Sequence, residues 1–577
     1  MSATPPSTPV PGSGDAKPSA VEGYKANSRA LRGTLREELA ANSDKFNDAD
    51  KNLLKFHGSY QQEDRDARKT RRADGLGKFH IFMIRCKIPG GRLTAAQYLG
   101  IDELAGKYAN GTIRFTTRQS IQLHGIVKGN LKATIAGVNA TMLTTLGGCG
   151  DVNRNVMACP APTTGPRAEL QRTASAIAAH LTPRSTAYHE IWLDGKVLDP
   201  DATEEEPIYG KVYLPRKFKI GLTLPEDNCI DVFAQDLGFV AHVEEDRVVG
   251  YNVLVGGGMG RTHGNAKTFA QLGKEICYIP ADQVVAMSEA VVKVFRDHGN
   301  RSDRKRARIK YVIHDWGVDR FREVLSEYFG RPLSLPRDLP IRGVDLHLGA
   351  HAQGDGKWWY GLSIQNGRVK DEGSLQLRTA LRTIMQRFQP DLRITAQQDL
   401  LLCNLSLADI AVIESLLDQH GVPRPEKISP MRRHSMSCPA IPTCGLAITE
   451  AERALPGVLD ELERVLHELG LQQEAIGVRM TGCPNGCARP YQSDIGLIGR
   501  SGDKYVVHVG GRSLGDRLNF ELRDLTPRGE IVKVLRPLLQ RFRDERNNGE
   551  TFGDFCARIG PEAARETIAN GQAVLAE

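Results

Sequence analysis

The chain has 577 residues, of which 40% are hydrophobic and 25% charged, a composition that excludes disordered, collagen-like and coiled-coil proteins. At roughly 100 to 200 residues per domain, this length predicts about three or four domains. The net charge of +7 is small for the length, and no stretch approaches the roughly 18 consecutive apolar residues of a membrane helix. We therefore expect no nucleic-acid and no membrane partner.

The first 22 residues are rich in Pro, Ser and Gly and lack the basic start and apolar centre of a secretory signal. They predict a disordered tail and a cytoplasmic protein. Eleven cysteines are too few for a disulfide scaffold in so long a chain, and four of them fall in two close pairs. In a reducing compartment, such pairs indicate metal ligation.

The first clear element runs from Ile113 to Leu123, where apolar and polar residues alternate and predict one strand. Its polar face carries Arg114, Thr116, Arg118, Ser120, Gln122 and, just beyond, His124. A solvated outer face is the plain alternative for this pattern. Cations in separate segments favour a binding surface instead, and these are Arg85, Arg154, Lys217 and Lys219.

These cations suit an anionic ligand. Lys217 and Lys219 are two residues apart, so on a strand they project to the same side. Nucleic acid fits poorly, because the interleaved aromatic residues and long basic stripes of such sites are missing. A carboxylated macrocycle would take several Arg and Lys residues as counter-ions, and a small dianion would need a compact cluster of its own.

Apolar residues at helical spacing follow from Gln283 to Arg296 and from Val458 to Leu469. Pro456, just before the second run, predicts a helix start. Between the two runs, the Pro-rich segment Arg331 to Pro340 indicates a linker between domains. Together, these elements predict an α+β protein.

The chain contains an internal duplication. The matching segments are 114–119 with 393–398, 157–161 with 436–440, 236–240 with 494–498, and 255–257 with 509–511. Their offsets fall from 279 in the first two pairs to 258 and 254. Because four matches keep one order, they indicate two copies of a unit, the second shorter than the first.

Four cysteines of the second copy have the spacing of a metal centre. Cys438 and Cys444 form C-x5-C, and Cys483 and Cys487 form C-x3-C. The five-residue gap fits structural zinc poorly, whereas a [4Fe-4S] cluster accepts irregular spacing and often has Pro beside Cys. The spacing therefore favours a [4Fe-4S] cluster over zinc and over four unrelated buried thiols.

The first copy serves as an internal control. Cys159 matches Cys438, but Gly165 stands where Cys444 would be, and no C-x3-C follows. One cluster per chain is therefore expected. The remaining cysteines need no role beyond packing, and these are Cys86, Cys149, Cys229, Cys277, Cys403 and Cys556.

The motif TGCPNGC at residues 481–487, with the C-x5-C pair before it, resembles the signature of sirohaem-dependent sulfite and nitrite reductases. The similarity extends over almost the whole chain through segments at 32–39, 56–62, 153–156, 214–219 and 552–555. The N-terminal segments look most like the haemoprotein (beta) subunit of assimilatory NADPH-dependent sulfite reductases. Only the Pro- and Ser-rich tail falls outside the resemblance.

The resemblance implies pseudo-twofold repeats in three α+β domains around a central cofactor site, in agreement with the duplication. The expected parts are a disordered tail at 1–22, an N-terminal extension that wraps the core at 23–81, a two-part ferredoxin-like domain at 82–147 and 350–423, a first sirohaem-type repeat at 148–349, and a second repeat with the cluster at 424–577.

The resemblance also implies roles for individual residues. The cluster would be held by Cys438, Cys444, Cys483 and Cys487, and Cys487 would bridge it to the sirohaem iron. The catalytic basic residues around the substrate would be Arg85, Arg154, Lys217 and Lys219. Other sirohaem contacts are expected from Arg114, Arg118, Gln122, His124 and Asn485.

The implied activity is the six-electron reduction of sulfite to sulfide, in assimilatory sulfur metabolism and cysteine biosynthesis. Because no amino acid supplies the electrons, metal cofactors must carry the redox chemistry. The sequence shows no flavin or nicotinamide domain, so we expect a separate donor, either a flavoprotein (alpha) subunit that oxidises NADPH or a ferredoxin. The alternatives are a sirohaem nitrite reductase that forms ammonia and, from another class, a nucleic-acid-binding protein with a structural metal site.

Overall fold

The computed structural model describes residues 17–185, 192–193, 196–197 and 206–574. Its helices are α1 (Ala20–Ala26), α2 (Leu35–Ala40), α3 (Asp48–Leu53), α4 (Arg68–Ala73), α5 (Ala95–Tyr108), α6 (Leu131–Ala140), α7 (Pro166–His180), α8 (Val284–His298), α9 (Ile309–Trp316), α10 (Val318–Phe329), α11 (Leu377–Phe388), α12 (Leu407–Gln419), α13 (Pro430–Arg433), α14 (Leu455–Glu468), α15 (Ile531–Glu545) and α16 (Phe552–Val574). No helix in these ranges combines the length and apolar character needed to cross a bilayer.

The strands are β1 (Ser59–Glu63), β2 (His80–Arg85), β3 (Arg92–Thr94), β4 (Ile113–Phe115), β5 (Ile121–Ile126), β6 (Met157–Ala158), β7 (Trp192–Leu193), β8 (Lys196–Val197), β9 (Ile220–Thr223), β10 (Leu237–Glu244), β11 (Arg247–Val255), β12 (Lys274–Pro280), β13 (Gly349–Ala352), β14 (Trp358–Leu362), β15 (Arg368–Val369), β16 (Asp371–Glu372), β17 (Leu375–Gln376), β18 (Asp391–Ile394), β19 (Leu400–Leu405), β20 (Met436–Ser437), β21 (Val478–Thr481), β22 (Ile495–Ser501), β23 (Lys504–Val509) and β24 (Phe520–Pro527). Mixed helices and sheets confirm the α+β class.

Four five-stranded sheets organise the chain. Sheet I has the order β1-β2-β5-β4-β15, and sheet II has the order β13-β14-β19-β18-β3. Sheet III has the order β12-β11-β10-β9-β6, and sheet IV has the order β20-β21-β22-β23-β24. The buried apolar side chains of sheets I and II share one core, whereas sheet III and sheet IV each pack a core of their own.

Sheets III and IV confirm the duplication. In each sheet, two parallel pairings are followed by two antiparallel ones. Residues 220–223 of β9 and 478–481 of β21 stand at the offset of 258 found from the sequence. The two copies therefore fold with the same topology, and equivalent residues can be assigned strand by strand.

Sheets I and II exchange their last strands. Strand β15 of the second half pairs with β4, and β3 of the first half pairs with β18. Both exchanges are antiparallel, with Arg368 opposite Arg114 in sheet I and Arg393 opposite Arg92 in sheet II. Each half thus completes the other's sheet.

The single strand predicted from Ile113 to Leu123 is wrong. The chain reverses at residues 116–120, where the Thr116 N–H donates to the Ser120 carbonyl at 2.9 Å and Gln119 adopts a φ of 51°. Strands β4 and β5 therefore form a hairpin with Arg114 opposite Gln122. The apolar residues before and after the turn keep the same two-residue spacing. The pattern of polarity along the sequence therefore does not reveal the turn. The equivalent turn recurs at residues 395–399.

Other expected elements appear close to their predicted places. Helix α8 covers the first predicted helical run, and α14 begins at Leu455 with Pro456 in its first turn. The segment Arg331 to Pro340 connects α10 to the strands of sheet II, as a linker would, and contains no helix or strand. It is anchored on sheet III, because the Arg337 guanidinium lies 3.5 Å from the centre of the Tyr278 ring.

The N-terminal boundary differs from the expectation. Residues 1–16 of the predicted tail lie outside the described part of the chain, but α1 already begins at Ala20. Glu22 is buried. It forms one ion pair with Lys25, at 2.7 Å, and a second with Arg301. These contacts place residues 20–22 in the folded part of the protein. The N-terminal extension also supplies β1, the edge strand of sheet I.

A buried cluster of charges joins the two repeats. The Asp231 carboxylate accepts hydrogen bonds from Arg479, at 2.9 Å, and from Arg489. Arg489 also donates to the carbonyls of Thr117 and Ala396, each at 3.0 Å. Thr117 and Ala396 lie in the two equivalent hairpin turns. Arg489 therefore links the two repeats to each other and to the hairpins of sheets I and II.

We predict that Asp231→Asn lowers the free energy of unfolding by about 3–5 kcal/mol, because it leaves two buried guanidinium groups without a counter-charge. Denaturant-induced unfolding followed by circular dichroism measures the loss. The control is Asp315→Asn, which removes an exposed ion pair with Arg306 and should cost about 1 kcal/mol or less. Equal midpoints for the two variants would contradict the role assigned to Asp231.

Candidate functional site

The two cysteine pairs meet because they follow neighbouring strands. Cys438 comes directly after β20, and Cys483 comes two residues after β21. These strands pair in parallel, so their carboxyl ends lie at the same edge of sheet IV. Cys444 and Cys487 lie further along the same two loops. The topology alone therefore brings the four thiols to one edge.

The loops pack too closely for larger residues. A Cβ at Gly482 would lie 2.5 Å from the Thr449 carbonyl oxygen and 2.6 Å from the Cβ of Ala440. Gly486 has a φ of 61°, which few residues other than Gly adopt. The Gly482 carbonyl accepts the backbone N–H groups of Ile448 and Thr449 at 2.7 and 3.1 Å. These contacts hold the cysteine loops against each other.

The four thiols form one electrostatic group. Burial, followed by the charges of Cys487, Cys483 and Cys444, raises the pKa of Cys438 well above its ordinary value. The Gly482 N–H donates to the Cys438 sulfur at 3.4 Å, and the Asn485 amide donates to the Cys483 sulfur at 3.5 Å. N–H donors of this kind stabilise thiolate ligands and tune iron-sulfur clusters.

A cavity opens beside Cys487, the one exposed member of the four. Its basic wall combines Lys217 and Lys219 of the first repeat, Arg118 of the hairpin turn, Arg308 after α8, and Arg489 of the second repeat. Asn485, Gln235 and Met259 complete much of the lining. The cavity therefore lies where the two repeats and sheet I meet.

Charge in the cavity is only partly neutralised. Arg308 binds Asp236 through two hydrogen bonds of 2.8 Å, and Arg118 donates to Gln235 at 2.6 Å. By contrast, neither Lys217 nor Lys219 forms a hydrogen bond or ion pair with any residue that the structure describes. Two free ammonium groups beside Arg118 and Arg308 give this cavity an excess of positive charge, which suits an anion.

Burial, followed by the nearby charges of Arg308 and Arg216, lowers the pKa of Lys217 to about 7. Burial and the neighbouring Lys217 lower the pKa of Lys219 well below its ordinary value. Both ammonium groups are therefore destabilised without an anion. A bound anion would stabilise their protonated forms.

Arg85 and Arg154 form a second basic pair. Both donate to the Gly148 carbonyl, at 3.5 and 3.3 Å, and Arg154 also donates to the Gly150 carbonyl at 2.8 Å. With its amide oxygen turned toward Arg85, Gln122 accepts from the Arg85 Nε at 3.1 Å. The loop 148–150 thus fixes the direction of both guanidinium groups.

The remaining predicted contacts divide into two kinds. Arg114 is already engaged, since its guanidinium donates to Glu452 at 2.7 Å and to the Ser437 carbonyl at 2.9 Å. His124 is buried, and neither ring nitrogen has a hydrogen-bond partner among the described residues. Burial, with Arg368 and Arg114 nearby, lowers the His124 pKa, so the ring is neutral. Such an orphaned ring is expected where a bound group completes the site.

Several residues of the site were not found from the sequence. Arg308 lies in the cation run of residues 304–310, and Arg489 follows Cys487 by two positions, so both had a visible signal. Gln235 and Glu452 had none, because their partners lie far away in the chain. Arg65 was also missed, and it donates to the Ala447 carbonyl of the cysteine loop at 2.6 Å.

Known proteins share this architecture. The family model for the nitrite and sulphite reductase 4Fe-4S domain matches residues 172–333 and 431–573, and the model for the nitrite/sulfite reductase ferredoxin-like half domain matches residues 77–141 and 351–420. The second model thus matches once in each half of the chain, as the duplication requires.

Individual relatives match over nearly their full length. The chain is 47% identical to the "sulfite reductase [NADPH] hemoprotein beta-component" of Staphylococcus saprophyticus, over 94% of this chain and 95% of the relative. It is also 47% identical to the "sulfite reductase [ferredoxin]" of Synechococcus elongatus, over 95% and 91%. The solved structure of the Mycobacterium tuberculosis NirA protein superposes with a TM-score of 0.76 at 26% identity, covering 95% of this chain and 98% of NirA.

The duplicated sheets, the four thiols at the edge of sheet IV and the basic cavity beside them are thus accompanied by family matches across both halves. The chain belongs to the nitrite and sulfite reductase family with a 4Fe-4S domain.

Proposed function

We propose that the chain is an assimilatory sulfite reductase haemoprotein, which reduces sulfite to sulfide with six electrons for cysteine biosynthesis. The observation that supports this function best is the cavity in which Cys487 faces two unpaired lysines and three arginines. Two relatives at 47% identity are named sulfite reductases. None of the eleven cysteines, all within the described residues, forms a disulfide, which suits the cytoplasm, the compartment we propose.

The residues present fit both cofactors of the family. Cys438, Cys444, Cys483 and Cys487 would hold the [4Fe-4S] cluster, and only Cys487 is exposed to the cavity, where it could also ligate the sirohaem iron. Arg118, Gln122, His124 and Asn485 would bind the carboxylate-rich macrocycle, with Arg114 placed behind them by Glu452. When bound, sirohaem and the cluster would pass on electrons from the donor and provide the metal site for sulfur.

The basic residues would divide the remaining work. Lys217 and Lys219 would bind the sulfite oxygens and give protons from their Nζ atoms as each S–O bond breaks. A lysine whose pKa lies near 7 can lose a proton and regain it from water at neutral pH. Guanidinium groups do not act as proton donors in proteins, so Arg85 and Arg154 would orient the anion.

Turnover with chemically reduced viologen tests the proposed function, because it needs no protein donor. We expect sulfide as the product and a higher kcat/KM for sulfite than for nitrite, since Lys217 and Lys219 together with Arg85 and Arg154 would suit a dianion. A higher kcat/KM for nitrite would instead identify the nitrite reductase alternative and reject the sulfite assignment.

A second test separates charge from proton delivery at Lys219. We expect Lys219→Met to lower kcat for sulfite by about 100-fold or more, since it removes both the charge and the donor. Lys219→Arg keeps the charge but cannot release a proton, so it should preserve KM better than kcat. The exposed Lys211→Met is the matched control, and all three variants should keep the visible absorption spectrum. Near-normal turnover of Lys219→Met would exclude proton delivery.

Electrons must come from a partner protein. Two relatives are each 47% identical to this chain, and the name of one contains NADPH while that of the other contains ferredoxin. The names therefore do not decide between the two donors. We favour a flavoprotein subunit that oxidises NADPH, on the similarity of the N-terminal segments, with a ferredoxin as the alternative. Both kinds of donor carry acidic surfaces and would need a basic docking site.

A suitable surface lies over the cluster loop. Arg65 binds the Cys444 and Ala447 carbonyls, and Arg453 binds Asp66 at 2.7 Å, so the segment before α4 lies directly on this loop. Four exposed cations surround this segment, and we call them the α4 surface: Arg68, Lys69, Arg72 and Lys78. Leu446 on the cluster loop is 67% exposed and Leu76 53%. Cations around exposed leucines suit a transient electron-transfer partner.

We expect Arg72→Glu to lower turnover with a protein donor by about 10-fold or more at low salt, and less at high salt, because charge steering is screened. Viologen-driven turnover of the same variant should be unchanged. Lys132→Glu, on α6 and outside the α4 surface, is the control. Equal loss with viologen, or equal loss in the control, would show that the α4 surface is not the docking site.

A further inference from the structure

A second group of metal-binding side chains lies away from the four cluster cysteines. It comprises Cys159, Asp227, Cys229 and His347, all buried, with one ligand atom from each within 4.8 Å of all the others. Cys159 follows β6, and Asp227 and Cys229 follow β9, its parallel neighbour in sheet III. His347 comes from the segment between α10 and β13.

The duplication relates this group to the cluster site. Cys159 matches Cys438, and at the offset of 258 that aligns β9 with β21, Cys229 matches Cys487. The positions of Cys444 and Cys483 are taken by Gly165 and Pro225, so a four-thiolate cluster is impossible here. Asp227 and His347 supply one oxygen and one nitrogen in their place.

We propose that Cys159, Asp227, Cys229 and His347 bind one Zn²⁺ ion, at the pseudo-twofold counterpart of the [4Fe-4S] cluster. Two thiolates, an imidazole and a carboxylate form a tetrahedral donor set that zinc accepts. The site goes beyond sulfite reduction and does not depend on it.

The spacing of the ligand atoms fits a tetrahedron around one ion. With metal–ligand distances of about 2.3 Å for sulfur and about 2.1 Å for nitrogen or oxygen, the S–N and N–O edges would be about 3.6 and about 3.4 Å. The Cys159 sulfur lies 3.6 Å from the His347 Nε2, which lies 3.2 Å from the Asp227 Oδ2. The Cys159 sulfur and the Asp227 Oδ2 are closer, at 2.9 Å, because the thiol donates a hydrogen bond to this oxygen.

The surroundings orient the ligands as in known zinc sites. The His347 Nδ1 faces the Asp345 carboxylate at 3.3 Å, which leaves Nε2 directed at the ion. The backbone N–H groups of Cys229 and Asp345 donate to the Asp227 Oδ1 at 3.2 and 3.1 Å, which leaves Oδ2 free to ligate. Arg167 lies 3.6 Å from the same Oδ2. A Zn²⁺ ion bound by two thiolates and one carboxylate has a net charge of −1. The positive charge of Arg167 balances it.

The ion would fasten the segment that joins the two halves. His347 is almost fully buried and has a φ of 59°, which residues with a side chain rarely adopt. The other three ligands belong to the first repeat, whereas the chain beyond His347 enters sheet II at β13. Zinc would therefore hold the start of sheet II against sheet III.

Metal analysis of the purified holoenzyme, prepared without chelators, tests the site. We expect one zinc per chain beside the iron of the other cofactors. In His347→Ala, zinc should fall to background while iron and viologen-driven sulfite turnover are retained. Cys403→Ala, which truncates a buried thiol in the same apolar cluster, should keep its zinc. Wild-type protein that holds no zinc, even after equilibration with Zn²⁺, would overturn the proposal, and so would an additional iron in its place.

X-ray absorption at the zinc edge of the wild-type protein gives a second test that needs no variant. Two sulfur ligands at about 2.3 Å and two nitrogen or oxygen ligands at about 2.0 Å are expected. Four sulfur ligands would show that zinc had replaced the cluster instead, and a shell without sulfur would place the ion elsewhere. Because these measurements do not depend on sulfite, failure of the zinc site and failure of the proposed function remain distinguishable.

Discussion

The centre of the molecule depends on Arg489 and its carboxylate partner. A buried guanidinium needs a counter-charge and acceptors for its N–H groups. Asp231 supplies the charge from the first repeat, and the turns of both hairpins supply the carbonyls of Thr117 and Ala396. Since Arg489 follows Cys487 by two residues, this contact sets the position of the exposed cluster thiol relative to the first repeat. Arg489 also lines the basic cavity, so its three partners fix part of the cavity wall.

The two copies of the unit have kept one topology and changed its chemistry. In both copies, two loops follow adjacent parallel strands at the same edge of the sheet. The strand pairing alone therefore brings the side chains of these loops close together. In sheet IV the edge carries four thiols. In sheet III it carries two thiols, and a carboxylate and an imidazole complete the group. The fold therefore fixes where ligands gather, and the residue types decide what they can bind.

Much of this arrangement could be predicted from the sequence, because it depends on local spacing. The cysteine pairs, Pro456 at the start of α14 and the order of the repeats were all visible along the chain. The hairpin at residues 113–126 was missed because the turn itself keeps the alternation of polar and apolar residues. Glu452, Gln235 and His347 were missed for another reason: each acts on a residue more than a hundred positions away. Cys229 was assigned to packing alone, although the offset of 258 pairs it with Cys487, and the strand register confirms that pairing.

The exchange of β3 and β15 constrains how the protein could have arisen. If the chain descends from a single copy of the repeated unit, that copy could not close its own five-stranded sheet, since the edge strand comes from the other half. Two identical chains, trading edge strands about a twofold axis, would have completed both sheets at once. Gene fusion then freed each half to diverge. The asymmetry between a four-thiol edge and a mixed one is a specialisation that a symmetric dimer of identical subunits could not have reached.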